Sequence, residues 1–197
     1  MDSNDSNPRI ILASNSPRRR EMLRQIGLDF SIDPADVDER PIPGEGPESY
    51  ALRVAEDKAA VAAQKACTGI VIAADTIVVV NGLVLGKPAD VSDAERMLKL
   101  LSGRAHRVIT GLVVRDASDG RFLSKTAVTT VWFRDLSYEE IRSYVMSGEP
   151  LDKAGAYGIQ EKGALLVKKI DGCYFNVVGL PLSLLGEMLG EFGISLW

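Results

Sequence analysis

The longest apolar run of the chain, Ile70 to Val80, is rich in β-branched residues and leads directly into Asn81-Gly82. Such a run is typical of a strand that is buried on both faces of a central sheet. Asn-Gly is the strongest short signal for a two-residue type I′ turn, so we expect Leu83 to Leu85 to return as a second strand. The fold of the chain must therefore be built around one long central strand.

Asp75 places a carboxylate inside this run. An ionised carboxylate in a buried strand is costly unless a cation or hydrogen-bond donors compensate it. Two interpretations are open: Asp75 satisfies nearby loops and has no chemical role, or it lies at the floor of a cleft as a metal ligand or general base. Lys87, just past the hairpin, is a candidate counter-charge. Gly86-Lys87 is not a phosphate-binding P-loop, because Pro88 stands where Ser or Thr is required.

A second polar segment, Ser14 to Arg20, follows the apolar stretch Arg9 to Ala13, which predicts a short strand. Ser16 fits a helix N-cap and Pro17 fits the first helical position, so the next three arginines fall in the first helical turn. Cations there oppose the helix dipole, which suggests that an anion belongs at this helix end. Free N–H groups and guanidinium groups bind phosphate. A solvated basic turn is the alternative.

The alanine-rich segment Glu48 to Lys65 predicts a helix that Gly69 ends. Lys58 falls on the apolar stripe of this helix. Either its ammonium reaches solvent along the aliphatic stem, or it points into a polar cleft near Asp75. The acidic, proline-rich loop from Asp33 to Pro47 precedes the helix. Such loops are usually solvated, but one carboxylate of this loop could help to hold a divalent cation.

The second half of the chain predicts further strands, two helix starts and one irregular segment. Capping boxes at Ser92-Asp93-Ala94-Glu95 and Ser137-Tyr138-Glu139-Glu140 indicate helix starts. Strands are expected at Arg107 to Val114 and Phe122 to Phe133, and a hairpin is expected to join Leu165 to Ile170 with Cys173 to Val178. A final helix follows Pro181. The segment Glu149 to Gln160 fits a binding loop better than a plain connector.

Composition and charge limit the classes of function. The net charge of −4 argues against a general nucleic-acid binder. Cys67 and Cys173 lie far apart, which gives neither a zinc spacing nor a disulfide framework, and we expect free thiols in a reducing compartment. The single histidine, His106, excludes a multi-histidine metal site and is expected to be a surface or structural residue. The polar first eight residues predict no signal peptide, and no apolar run reaches the length of a membrane span.

Strands and helices alternate early in the chain, and hairpins dominate later. This order predicts an α/β fold with a central mixed β-sheet, flanking helices and a cleft between two lobes. The cleft is expected to receive Ser14 to Arg20, Asp75-Thr76, Lys87 and Asp152 to Gln160. Cationic residues at its ends and a carboxylate between them suit a metal-bound phosphate substrate.

Six short motifs, in this order and at these spacings, resemble those of the Maf family. They are Ser14-Asn15-Ser16-Pro17-Arg18-Arg19, Ala74-Asp75-Thr76, Gly86-Lys87-Pro88, Leu101-Ser102-Gly103, Asp152-Lys153-Ala154-Gly155-Ala156-Tyr157-Gly158-Ile159-Gln160 and Gly179-Leu180-Pro181. The resemblance covers about residues 9 to 192. It implies a disordered tail at residues 1–8, a single Maf-like catalytic domain at residues 9–197, and a fold similar to that of inosine triphosphate pyrophosphatases (Maf/Ham1-like).

The resemblance implies a nucleoside triphosphate pyrophosphatase that releases the monophosphate and pyrophosphate. The uninterrupted segment Asp152 to Gln160 looks like the subgroup that favours dTTP and UTP over 7-methyl-GTP. Modified pyrimidine nucleotides are further candidate substrates, and a house-cleaning role is implied. So are a divalent cation (Mg²⁺ or Mn²⁺), a cytoplasmic location and a homodimer without nucleic-acid or membrane partners. The alternative function is a nucleotide-binding regulator of septum formation in cell division.

The resemblance also implies roles for single residues. Asp75 matches the proton acceptor that activates water, Lys58 and Lys87 match catalytic cleft positions, and Asp75 with Glu39 is expected to hold the metal. Substrate binding and specificity fall on Ser14, Arg18, Arg19, Thr76 and Gln160. One departure is visible, because Glu161-Lys162 follows Gln160 where a glycine often stands in relatives. This departure concerns the flexibility of the loop and not the chemistry.

Overall fold

The computed structural model describes residues 8–197. The tail expected at residues 1–8 therefore lies, apart from Pro8, outside the described residues. The strands are β1 (Ile10–Leu12), β2 (Ser31–Ile32), β3 (Ile70–Val80), β4 (Leu83–Leu85), β5 (Ala105–Asp116), β6 (Phe122–Phe133) and β7 (Val167–Asp171). The α-helices are α1 (Pro17–Gln25), α2 (Pro47–Ala66), α3 (Val91–Leu101), α4 (Tyr138–Met146), α5 (Tyr174–Val178) and α6 (Leu182–Glu191).

Within residues 8–197, the seven strands form one mixed sheet. Its order is β2-β1-β3-β5-β6-β7, and β4 pairs with one end of β3. β1 runs parallel to both β2 and β3, whereas the pairs β3–β4, β3–β5, β5–β6 and β6–β7 are antiparallel. The helices cover both faces of the sheet, so the expected α/β fold with a central mixed sheet is confirmed.

β3 is the central strand, and its side chains are buried along its length except at Asp75 and Thr76. Asn81 and Gly82 both have positive φ angles, 50° and 77°, as a type I′ turn requires. Val80 pairs with Leu83 across this turn. The strand and the hairpin predicted from the sequence are therefore confirmed.

α2 packs very closely on one face of the sheet because small residues line the contact. Its buried alanines face Val71, Ala73 and Val113 near one end and Ile77, Val79 and Ile109 near the other. Gly111 of β5 lies under the second turn of α2, where a Cβ atom would sit 2.3 Å from the carbonyl oxygen of Ala51. α2 ends at Cys67, which itself adopts the left-handed conformation (φ 62°) and donates its N–H to Ala63 O. The expected stop at Gly69 is thus two residues late.

The opposite face of the sheet carries two separate cores. One is formed where α1 and α6 pack on β1 and on the first half of β3, around Leu12, Leu23 and Leu189. The other is formed where α3 and α4 pack on the second half of β3, around Val80 and Leu98. These two cores are the two lobes expected from the sequence.

Two sequence predictions for the second half of the chain are wrong. The N-cap of helix α3 is Asp90 and not Ser92 of the expected capping box, because the carboxylate of Asp90 accepts the N–H of Asp93 at 2.8 Å. The capping box at Ser137, in contrast, is confirmed.

The second wrong prediction is the hairpin of Leu165 to Ile170 with Cys173 to Val178. β7 is present, but residues 174–178 form the short helix α5. Side chains hold this segment in place: Asn176 Nδ2 donates to Val108 O and to Thr129 Oγ1, and Cys173 N–H donates to Thr129 Oγ1. These tertiary hydrogen bonds override the strand propensity of the apolar sequence.

None of the described helices is both long enough and apolar enough to span a lipid bilayer.

We predict that Gly111→Ala lowers the free energy of unfolding by about 2–3 kcal/mol, because the added methyl group overlaps the backbone of α2. Urea denaturation measures this change. Gly190→Ala in α6 is the matched control, since its added Cβ meets no atom within 4 Å and alanine favours a helix by up to about 1 kcal/mol. An unchanged stability of Gly111→Ala would contradict the close packing of α2 on β5.

Candidate active site

The cleft opens where β3 has no strand beside it. On the edge opposite β5, β1 pairs only with residues 70–72, and β4 pairs only with residues 78–80. Within the part of the chain that the structure describes, residues 73–77 therefore lack a strand partner on this edge. One carbonyl of this gap, Ala74 O, instead accepts a hydrogen bond from Arg19 Nη1 at 2.9 Å.

Adjacent side chains in the gap point to opposite faces of the sheet, as in any strand. Asp75 lies on the α2 face, where it contacts Lys58. Thr76 lies on the other face, where its hydroxyl is 2.9 Å from that of Thr110. Because the sheet is interrupted here, both side chains line one cleft of about 570 Å³. The sequence-predicted residues that line this cleft are Ser14, Arg18, Arg19, Glu39, Lys58, Asp75, Thr76, Lys87 and Gln160.

Asp75 is compensated by Lys58. Lys58 Nζ lies 2.8 Å from Asp75 Oδ1, and these side chains are only 12% and 14% exposed, respectively. The same Nζ lies 2.6 Å from Glu39 Oε1. Of the two interpretations of Lys58, the one that directs it into the cleft is therefore confirmed. Lys87 lines the cleft but forms no ion pair with Asp75 among residues 8–197, so the counter-charge is Lys58 and not Lys87.

Asp75 and Glu39 are the carboxylates that could hold a metal ion here. Both lie within 2.8 Å of one ammonium nitrogen, so their oxygens are close enough to share one cation. Across residues 8–197 no group of three or more His, Cys, Asp or Glu side chains is arranged to hold a metal. Two carboxylates fit a hard cation such as Mg²⁺ that completes its octahedron with water and substrate phosphates, rather than a site made by protein alone.

The guanidinium of Arg19 forms hydrogen bonds to residues in and around the gap in β3. It donates to Gly179 O at 2.8 Å, to Ser14 Oγ at 3.1 Å and to Thr76 Oγ1 at 3.1 Å, in addition to Ala74 O. Burial lowers the pKa of Arg19, and the nearby charge of Asp75 opposes that shift. The guanidinium is thus committed to protein acceptors and fixes two of the predicted substrate-binding residues.

The three arginines in the first turn of α1, Arg18 to Arg20, do not form one cluster, contrary to the simple expectation of an anion site. Ser16 caps the helix as predicted, with its hydroxyl accepting from Arg19 N. Arg19 points into the gap, whereas Arg18 reaches across the mouth of the cleft to Asp152 at 3.1 Å. Arg20 does not line the cleft. Helical spacing separates the three side chains, so only the first two line the cleft.

The other lip of the cleft is the segment that follows α4. It contains short 3-10 turns at Glu149–Asp152 and Ala154–Ala156 and then runs irregularly to Gln160. Gln160 is exposed on this lip, and Lys153 Nζ contacts Asp152 at 2.8 Å. Between a plain connector and a binding loop, its place along the cleft favours the binding loop.

Two buried residues behind this lip form a contact that the sequence did not predict. Tyr157 lines the cleft, and its hydroxyl lies 2.7 Å from His106 Nε2. Both are buried, and burial lowers the pKa of His106 to about 4, so the imidazole is neutral near pH 7. His106 is therefore structural and not at the surface. His106, Val108 and Thr110 are alternate residues of β5 and therefore lie on the same face of the sheet. This spacing is the sequence signal that could have indicated the burial of His106.

Comparison with known proteins gives concordant matches over nearly the whole chain. A family model described as "Maf-like protein" matches residues 9–192. A dTTP/UTP pyrophosphatase of Syntrophomonas wolfei is 49% identical and covers 94% of this chain and 98% of its own length. A dTTP/UTP pyrophosphatase of Carboxydothermus hydrogenoformans is 52% identical, with coverage of 94% and 99%.

The fold also has a solved counterpart. The structure of a HAM1 protein from Coxiella burnetii matches with a TM-score of 0.53 at 19% identity, over 94% of this chain and 100% of that one. At this level of identity the match shows a shared fold alone, and it confirms the expected Ham1-like architecture.

We predict that Lys58 and Asp75 are energetically coupled. Lys58→Met alone leaves a nearly buried carboxylate without its cation, so it should destabilise the protein more than the double variant with Asp75→Asn does. A double-mutant cycle of unfolding free energies should give a coupling of about 1–3 kcal/mol.

The control for this cycle is the pair Lys99–Glu95, which is more exposed and spaced i,i+4 on α3. Its coupling should not exceed about 0.5 kcal/mol. Equal coupling for the two pairs would mean that Asp75 does not depend on Lys58.

Proposed function

Because this chain belongs to the Maf family, we propose that it hydrolyses dTTP and UTP to the nucleoside monophosphate and pyrophosphate. The observation that carries the proposal is the nearly buried Asp75–Lys58 pair at the floor of a cleft. Relatives with about 50% sequence identity over nearly the whole length of both proteins are named dTTP/UTP pyrophosphatase. A carboxylate beside phosphates would repel them unless a metal ion lies between the two negative groups, so Asp75 fits a catalytic site better than a site that only binds a nucleotide.

In the proposed reaction, Asp75 is the general base. It takes a proton from the water that attacks the α-phosphorus, a P–O bond forms to that water oxygen, and the bond to the leaving pyrophosphate breaks. Lys58 holds the carboxylate in place at 2.8 Å and provides positive charge where phosphate oxygens gain negative charge. A divalent cation, Mg²⁺ or Mn²⁺, held by Asp75 and Glu39 would neutralise the phosphates when it is bound.

Cations at the mouth of the cleft suit the outer phosphates. Arg18 is paired with Asp152 and only partly exposed, and phosphate oxygens can replace that carboxylate as its partner. Lys87 is exposed on the same cleft and has its ammonium available to a ligand. In the first turn of α1 the N–H of Arg18 adds one donor for an anion, because Pro17 has no N–H and those of Arg19 and Arg20 donate to Ser16.

The Thr76 face of the gap suits the base. Apolar side chains, among them Tyr157, Ile159 and Val178, form a wall there, and Gln160 lies at its rim. The O4 and N3–H of uracil or thymine present an acceptor beside a donor, which the side-chain amide of Gln160 can pair. Arg19 lies close by with its positive charge, which disfavours the cationic base of 7-methyl-GTP.

We also propose a single catalytic domain at residues 9–197 that works as a cytoplasmic homodimer without a nucleic-acid partner. The resemblance to the family supports the dimer and the location. The net charge of −4 supports the absence of a nucleic-acid partner. A house-cleaning role on modified pyrimidine nucleotides fits a cleft that leaves Gln160 exposed.

We predict that Asp75→Asn lowers the turnover of UTP by about 10²-fold or more, the usual contribution of a general base, while the protein stays folded. Chromatography of both products, UMP and pyrophosphate, measures it. Asp57→Asn, which changes an exposed carboxylate on α2 next to Lys58 in sequence, should retain wild-type turnover.

We also predict that a chelator abolishes the hydrolysis of UTP and that added Mg²⁺ or Mn²⁺ restores it.

Three outcomes of these experiments would refute the scheme. Near-normal turnover by Asp75→Asn removes the proposed base. Orthophosphate as the product removes the pyrophosphatase assignment. Full activity in excess chelator, with metal content measured as nil, removes the cation.

We predict that the wild-type enzyme hydrolyses dTTP and UTP well above 7-methyl-GTP, and that Gln160→Glu narrows this gap. The substitution removes the amide donor that pairs with O4, and the new carboxylate attracts a cationic base. The ratio of kcat/KM values measures the effect, and Gln64→Glu, exposed on α2, adds the same charge away from the cleft. A wild-type preference for 7-methyl-GTP would refute the substrate assignment and leave the pyrophosphatase chemistry standing.

A further inference from the structure

The short segment from Gly158 to Gly163 presents Gln160 to the cleft, and side chains from outside the segment hold both of its ends. At one end, Gly158 N–H donates to the hydroxyl of Tyr144 at 3.2 Å. At the other end, Gly163 N–H donates to Glu149 Oε1 at 3.1 Å, and Lys162 N–H donates to Glu149 Oε2 at 3.3 Å.

The two holding side chains are themselves joined. The Tyr144 hydroxyl donates to Glu149 Oε1 at 3.0 Å while it accepts from Gly158. A hydroxyl can do both at once, and an ionised carboxylate can accept all three donors offered to Glu149. The resulting chain of hydrogen bonds runs from one end of the segment to the other through Tyr144, which is only 5% exposed.

The two ends of the segment, Gly158 and Gly163, pack closely against each other and against Tyr144. A Cβ atom on Gly163 would lie 1.9 Å from Gly158 O and 2.7 Å from the Tyr144 hydroxyl oxygen, so the two ends approach as closely as only glycine permits. Between them, Ile159 is buried in the core, whereas Gln160 is exposed.

Glu161 indicates that the segment is held against a local preference. Its φ angle is +52°, in the left-handed region that favours glycine. Such a conformation is unfavourable for a residue other than glycine and persists only when the surroundings impose it. Here the bonds to Lys162 and Gly163, directly after Glu161, supply that constraint.

We propose that Tyr144 and Glu149, which we call the loop clasp, are positioning residues that set the place of Gln160 for reading the base. This inference rests on the proposed function, because it concerns the same cleft. The loop clasp touches no reacting atom. It acts by holding Gly158 and Gly163 so that the intervening Gln160 enters the cleft in one orientation, which reduces the ordering cost of binding.

The test uses Tyr144→Phe in the full-length protein, which removes only the hydroxyl oxygen. We expect the KM for UTP to rise about tenfold, because the partly buried N–H of Gly158 loses its partner and the loop loses its fixed position, while kcat changes less than about twofold. The amides of Gly158, Lys162 and Gly163 should exchange with deuterium faster. Tyr138→Phe, on the same helix and half exposed, is the matched control and should change neither quantity.

A double-mutant cycle separates positioning from general destabilisation. In a Gln160→Ala background, Tyr144→Phe should raise the KM less than about twofold, because the residue that it positions is gone. Glu149→Gln, which keeps the shape but replaces an acceptor oxygen with a donor, should behave in the same way as Tyr144→Phe. Additive effects on KM, or unchanged amide exchange in Tyr144→Phe, would overturn the inference. Wild-type protein that fails to hydrolyse UTP would instead overturn the proposed function.

Discussion

The site depends on a gap of five residues in the pairing of β3. A central strand normally has a neighbour on each edge, but here β1 stops short and β4 starts late on the same edge. The polar backbone that the gap exposes needs other partners, because unpaired buried carbonyls are costly. Arg19 supplies one such partner at Ala74, and it thereby ties helix α1 and Gly179 to the gap.

The gap also explains why a carboxylate lies in the most apolar segment of the chain. Side chains at successive positions point to opposite faces, so Asp75 and Thr76 would be on separate sides of an unbroken sheet. In the gap both line one cleft. The α2 face then holds the ionic groups, Asp75, Lys58 and Glu39, and the other face holds the apolar wall and Gln160. In the proposed function, reaction chemistry and base recognition would therefore be divided between the two faces.

Local sequence patterns predicted most of the elements but not the contacts between them. The β-branched run and Asn81-Gly82 correctly predict β3 and its hairpin, because both signals act within a few residues. The Asp90 N-cap of α3 was missed because the nearby Ser92 also fits a cap, and α5 was missed because Thr129 and Asn176 fix it through tertiary hydrogen bonds. The expected cleft already placed Ser14 to Arg20 and Asp152 to Gln160 together, but no local pattern predicted the ion pair of Arg18 with Asp152, which is a tertiary contact.

The most direct measurement is a crystal structure of the protein with Mg²⁺ and a UTP analogue whose α–β bridging oxygen is replaced by nitrogen. The base should lie on the Thr76 face beside Gln160, and the α-phosphate should lie on the Asp75 face, with the nucleotide passing along the unpaired edge of β3. A nucleotide bound entirely on one face, or with its α-phosphate out of reach of Asp75, would contradict the division of the site by the gap.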